Sequence, residues 1–155
     1  MANILVTHVQ QTSGNWCWAA CSEMFLRRYG KNNLSQAALA NIHNAKFGHG
    51  LDSMANDAEV NWILKNHGGL STERAGPLEW GALQAVLNNC RLVIASALNH
   101  AWLIVGCEHD PVHGQVVWVH DPARDSGPNK AKFSVFKNAW LTSVILSQNS
   151  AEALD

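Results

Sequence analysis

The stretch QTSGNWCWAACSEM, Gln11 to Met24, sets a cysteine where a helix would begin and an amide side chain six residues before it. Gly14 and Asn15 are turn residues. From Cys17 onward Trp18, Ala19, Ala20, Cys21, Met24 and Phe25 supply helix formers and a broad apolar surface, and Gly30 is placed to end the run. A thiol in the first turn of such a buried helix lies beside unpaired backbone N–H groups at the positive end of the helix dipole, and both favour thiolate over thiol. Gln11 can turn its amide toward the same point and, with the Cys17 N–H, make a two-donor oxyanion hole. The pattern predicts a nucleophile at Cys17. Taken alone, Cys17 reads equally well as a small buried hydrophobe.

A cysteine nucleophile needs a histidine within hydrogen-bond reach, and that histidine needs a third group to hold its ring. Of eight histidines, His100 opens the apolar run HAWLIVGC, where a polar residue is out of place. A symmetric hairpin about the turn DPVHG puts His100 across from position 121 or 122, and Asp121 is there. Directly paired strand residues have Cβ atoms about 5 Å apart, so carboxylate and imidazole can meet. Pro122 keeps Asp121 out of helical conformation, and strand alternation turns His120 to the opposite face. His8, His43, His49, His67, His109 and His113 are expected as solvated residues of loops or exposed helix positions. Singly, His100 is a core histidine and Asp121 a turn carboxylate; facing each other, in a chain with Cys17 behind a glutamine, they read as a catalytic set. Trp16, beside the nucleophile, and Asn99, beside the base, are candidate substrate-binding residues.

The elements that must position this set follow from periodicity. Met1 to Gln11 reads as an extended arm packed beside the first helix. Ser35 caps a second helix to Ala45, with Ala38, Leu39 and Ile42 at helical spacing. Phe47 to Met54 reads as an exposed loop, Asp57 to His67 as a third helix stopped by Gly68 and Gly69, Leu70 to Pro77 as a connection with a short edge strand, and Leu78 to Asn88 as a fourth helix. From Arg91 the period becomes extended: RLVIASA, HAWLIVGC and QVVWVHD are strand-like. Arg124 to Lys132 is expected as a loop, and Lys132 to Phe136 and Trp140 to Leu146 as further extended segments, with a short helix around Lys137 as the alternative. Helices first and strands afterwards predict an α+β fold, a helical half over residues 11–90 and an antiparallel sheet half over 91–147.

The 155 residues, 47% of them hydrophobic, suit one domain over 1–155. Eleven basic residues against twelve acidic, net charge −1, argue against a nucleic-acid surface. No apolar run of the length a membrane helix needs is present, and the start MANILVTHVQQ lacks the pattern of a signal peptide. The expectation is a soluble chain without a membrane partner, cytoplasmic or exported by a route without a cleaved signal. Four cysteines inside apolar segments suggest reduced thiols. Cys17 with Cys21, and Cys107 with His109 and His113, do not match paired zinc-ligand spacing, so no metal and no organic cofactor is expected. Oligomeric state is left open.

Gln11, five intervening residues and Cys17 followed by WAA, together with NHAWLIVG at His100 and the later WVHDP, resemble the papain-like cysteine peptidases. The likeness, from about Val9 to Pro122, is to the compact bacterial branch that includes bacteriocin-leader peptidases and some effector proteases of plant pathogens. The resemblance implies a papain-like fold, a peptide or protein substrate, Cys17 as nucleophile, His100 as base, Asp121 as orienting group and Gln11 as oxyanion residue. The chain departs from papain in using Asp121 in place of asparagine, in its short length, and in having Asn15 and Trp16 where papain has small residues. The same chemistry fits a deamidase or transglutaminase-like effector acting on glutamine side chains, and the same cleft fits a catalytically silent peptide-binding module.

Overall fold

A computed structural model describes residues 2–148. Met1, the first residue of the expected arm, and the end of the expected domain beyond 148 lie outside the described residues. The first helix, α1 (Cys17–Arg28), is buried from Cys17 through Leu26, the state required of a helix that is apolar nearly all round. Trp16 stands at its N-cap without a side-chain cap hydrogen bond, which leaves first-turn N–H groups free for another acceptor.

Helix α2 (Gln36–Phe47) begins at Ser35, whose hydroxyl accepts the Ala38 N–H, and ends at Gly48 with φ 73°. Its first N–H, on Gln36, is met by the buried Glu23 carboxylate of α1 at 2.6 Å. Helix α3 (Asp57–Asn66) opens on a reciprocal capping box between Asn56 and Glu59. Strand β1 (Thr72–Ala75), helix α4 (Trp80–Asn88) and strand β2 (Val93–Ser96) follow. Then come β3 (Ala101–Asp110), β4 (Gly114–His120), β5 (Asn129–Lys132), helix α5 (Phe133–Ala139) and β6 (Thr142–Leu146).

The six strands form one antiparallel sheet in the order β1-β6-β2-β3-β4-β5. Helix α1 packs on β3, α3 on β1 and β6, and α5 on β4 and β5. The core lies between α1 and the sheet, where Trp18, Phe25, Leu26, Ile94, Leu103, Ile104 and Val144 are fully buried. The α+β reading, helices first and strands afterwards, is the observed architecture.

Two expectations change, and the path of the arm gains detail. The segment from Lys132 to Phe136 is not extended: the strand lies earlier, at Asn129–Lys132, and α5 takes Phe133 to Ala139 so that Phe133 and Phe136 are buried, the alternative of a short helix around Lys137. The arm hydrogen-bonds to the sheet half: the Ile4 N–H donates to the Val105 carbonyl and the Gln11 N–H to the Pro122 carbonyl, both at 2.8 Å. Gly106 permits that crossing, since a Cβ there would collide with Asn3. In the hairpin, Asp110 pairs with Gly114 and Gly106 with Trp118, and an irregularity between Ile104 and Gly106 shifts the far end so that Leu103 meets His120. His100 is therefore not directly opposite Asp121.

Candidate active site

Cys17 sits 1% exposed at the start of α1. Burial pushes its thiol up from the ordinary value of 9.0, and the backbone N–H groups of Ala101, Trp18 and Cys17 itself act against that, while the Asp121 charge adds to it. The helix N-terminus supplies donors, as expected from the sequence, but desolvation is the largest effect. Two of the three N–H groups belong to the uncapped first turn and the third to β3, next to His100. One turn further along α1, Cys21 is fully buried and pushed much further up, so it has no reactive character.

His100 Nε2 lies 2.6 Å from Asp121 Oδ1. The hairpin's shifted register means that the two side chains meet diagonally at the strand ends. A carboxylate can only accept, so Nε2 carries the hydrogen and neutral His100 keeps a lone pair at Nδ1. Asp121 Oδ1 also accepts the Ala123 N–H at 3.0 Å, which fixes the carboxylate in its turn. Trp102 packs edge-on to the His100 ring, centroids 4.8 Å apart and planes at 82°.

Gln11 is half-buried, and its amide faces its own loop: Nε2 donates to the carbonyls of Ser13 and Gly14, both at 3.0 Å. Its Oε1 is buried without a partner. Both amide hydrogens are thus engaged on the loop that leads to Cys17, where the sequence suggested an amide free to face the nucleophile. The flanking backbone is held by Gln36, which accepts the Thr12 N–H at 3.0 Å and donates to the Gln10 carbonyl at 2.9 Å. The Gln36 side chain has no local signal in the sequence, since the backbone groups it holds lie more than twenty residues upstream.

The segment after α2 is more than an exposed loop. Asp52 accepts from Ser13 Oγ at 2.6 Å and from the Asn15 N–H at 3.3 Å. The indoles of Trp16 and Trp18 donate to the carbonyls of Leu51 and Ser53 at 2.7 and 2.9 Å. This lacing brings Met54 Sδ to 3.9 Å from Cys17 Sγ. His43, expected as solvated, is fully buried beneath the loop, its ring nitrogens 3.3 Å from Ser53 Oγ and from Glu59 Oε1. Burial pushes the Glu59 carboxyl up, but the Asn56 N–H, then His43 and His49, together outweigh it and lower its pKa.

A cleft of about 480 Å³ opens beside this set, lined by His49, Met54, Asn56 and Glu59 on the helical side and by Ser96, Leu98, His100, Ala101 and Leu141 on the sheet side. Trp16 and Asn99, the candidate substrate-binding residues, do not line it: Trp16 serves as a strut for the loop and Asn99 is exposed. Among the described residues, no group of three or more His, Cys, Asp or Glu side chains is arranged to hold a metal ion. No helix there is long and apolar enough to cross a membrane.

The sequence matches the family model of the peptidase C39-like family over residues 4–144. The chain belongs to that family. Solved structures of related peptidases share the fold. A structure described as a C39-like peptidase from Bacillus anthracis superposes with TM-score 0.72 at 14% identity, covering 94% of this chain and 96% of that one. The peptidase domain of Streptococcus ComA, a bifunctional ABC transporter of a quorum-sensing pathway, gives 0.65 at 15% identity, covering 90% and 97%. A double-glycine-motif protease from an AMS/PCAT transporter, solved with its leader peptide, gives 0.60 at 16% identity, covering 94% and 95%. Among curated proteins, none matches the sequence significantly. The C39-like fold is papain-like, a helical half carrying Cys17 against a sheet half carrying His100 and Asp121.

Proposed function

We propose that this chain, acting as one peptidase domain over residues 1–155, hydrolyses peptide bonds through Cys17, His100 and Asp121, with Gln11 and the Cys17 N–H as oxyanion donors. The observation that carries the reading is the 2.6 Å contact of His100 Nε2 with Asp121, which leaves Nδ1 as the free basic nitrogen on the strand whose next residue, Ala101, offers its N–H to the Cys17 sulfur. His100 Nδ1 takes the thiol proton as the sulfur attacks the carbonyl carbon. Negative charge passes to the carbonyl oxygen, which takes donors from the Cys17 N–H and the Gln11 amide. His100 then protonates the departing amine, leaving a thioester on Cys17, and returns as base for the water that releases the acid.

The substrate is a peptide, a reading supported by the related double-glycine protease with its leader peptide and by a cleft lined from both the helical and the sheet side. The first probe is a fluorogenic peptide ending in Gly-Gly before the reporter amide. Cys17→Ala is expected to abolish its cleavage; retention of most of the activity would overturn the mechanism. Gln11→Ala is expected to lower kcat about 10²-fold, the low end of what an oxyanion donor contributes, because the amide must leave the Ser13 or Gly14 carbonyl to serve the transition state.

A further inference from the structure

His8 and His120 lie outside the catalytic set, one on the arm and one at the end of β4. His8 Nδ1 stands 2.9 Å from His120 Nδ1, and His8 Nε2 stands 2.8 Å from the Arg124 carbonyl oxygen. The rings are within 25° of parallel with centroids 5.1 Å apart. That separation matches the nitrogen–nitrogen distance plus the two ring radii, so the nitrogens meet edge to edge, as a hydrogen bond requires.

The protons are then fixed by chemistry. A carbonyl oxygen can only accept, so His8 carries its hydrogen on Nε2, and neutral His8 offers Nδ1 as an acceptor. His120 must donate from Nδ1, which leaves its Nε2 a bare nitrogen. That Nε2 is buried without a partner, in a residue 1% exposed. His8 is thus the group that sets the His120 ring. Burial, and secondarily His8, lowers the His120 pKa to about 4. Asp121 Oδ1 faces His100, and Arg124 Nε is 3.9 Å from Asp121 Oδ2. The backbone at Gly127 closes over both rings, since a Cβ there would lie 2.9 Å from each Nδ1.

We propose that His8 and His120 are positioning residues, a two-imidazole clamp that ties the arm carrying Gln11 to the turn carrying Asp121. The proposal rests on the peptidase reading above. His120 immediately precedes Asp121, and the Arg124 carbonyl held by His8 belongs to the turn in which Arg124 N–H bonds back to the Asp121 carbonyl at 3.0 Å. The Gln11 N–H reaches the Pro122 carbonyl in the same turn at 2.8 Å. Three contacts therefore staple residues 8–11 to residues 120–124, and the clamp sets where the Asp121 carboxylate stands beneath His100.

The experiment reads the full chain without a substrate. Long-range proton–nitrogen correlation at pH 7 should find His8 with its hydrogen on Nε2 and His120 with its hydrogen on Nδ1; the reverse pair would overturn the clamp. Iodoacetamide labelling with peptide mapping then follows Cys17. His8→Ala is expected to slow Cys17 alkylation at pH 6 about tenfold, a fraction of what a positioned base contributes, with the rate at pH 10 unchanged and buried Cys21 and Cys107 still protected. His8→Gln should restore most of the rate, because its amide can both donate to Arg124 and accept from His120. Gly127→Ala, which forces the rings apart from outside the pair, should reproduce the loss. Exposure of Cys21 and Cys107 in both variants would make the pair a fold support and overturn the positioning role. Unchanged Cys17 rates in both, with loss in His100→Ala and Asp121→Asn, would overturn the clamp and leave the peptidase reading standing. Unchanged rates in those two as well would overturn the catalytic assignment and the clamp with it.

Discussion

At Cys17 two opposing effects act on one sulfur. Burial raises the thiol above 9.0, and three backbone N–H groups pull it down without overcoming burial. A thiol so placed is not a thiolate at neutral pH by virtue of its helix alone; it needs a base that takes the proton as the sulfur reacts. His100→Ala is therefore expected to shift the pH midpoint of Cys17 alkylation above 9.0, while the wild type reacts measurably at pH 6. Iodoacetamide rates from pH 5 to 10 check this, and a midpoint below 9.0 in the variant would mean that the helix N-terminus suffices. His100 and Asp121 were legible in the sequence because a short turn joins their strands, so a small register error still left the side chains within reach. Met54, 3.9 Å from the Cys17 sulfur, was not, because its place depends on Asp52, Trp16 and Trp18 joining segments more than thirty residues apart.

At the scale of elements, the arm and the loop after α2 behave as fitted parts. The helices and central strands were readable from periodicity, since each repeats its apolar face several times. Seven-residue α5 is too short for that signal, and the burial of Phe133 and Phe136 against the sheet decides its form. The arm carries no periodicity at all; its path is set by single contacts, of which those of Gln36 bear most directly on chemistry. Gln36 is buried and bonds the backbone on both sides of Gln11. Under the proposed mechanism Gln36→Leu is expected to lower kcat on the Gly-Gly peptide by about tenfold or more with KM changing little, since small displacements of the oxyanion donor proposed at Gln11 would be costly. Steady-state kinetics check this, and a rise in KM at unchanged kcat would place Gln36 in substrate binding instead. At the start of α3, Asn56→Ala is expected to cost about 1 kcal/mol of stability through loss of the capping box, measured by urea denaturation.

For the whole molecule, buried His120 makes folding sensitive to mild acid. His120 is held neutral in the folded state with a pKa of about 4 against an ordinary 6.5, so the unfolded chain binds its proton first. The sign follows from linkage: a lowered folded-state pKa gives stability that is whole above 6.5 and is lost as pH falls from 6.5 through about 4, after which the loss levels off. A difference of this size corresponds to about 3 kcal/mol, a large part of the 5–15 kcal/mol that holds a typical domain together. Glu59, whose pKa is lowered from 4.5, acts in a more acid window, so the interval from pH 6.5 to about 4.5 isolates the histidine. Urea denaturation at pH 8, 6.5, 5.5 and 4.5 should show stability constant above 6.5 and falling below it. In His120→Asn, which keeps a donor toward His8 but has no group to protonate, the decline across that interval should flatten. A decline of the same slope in the variant would assign the acid sensitivity to another group.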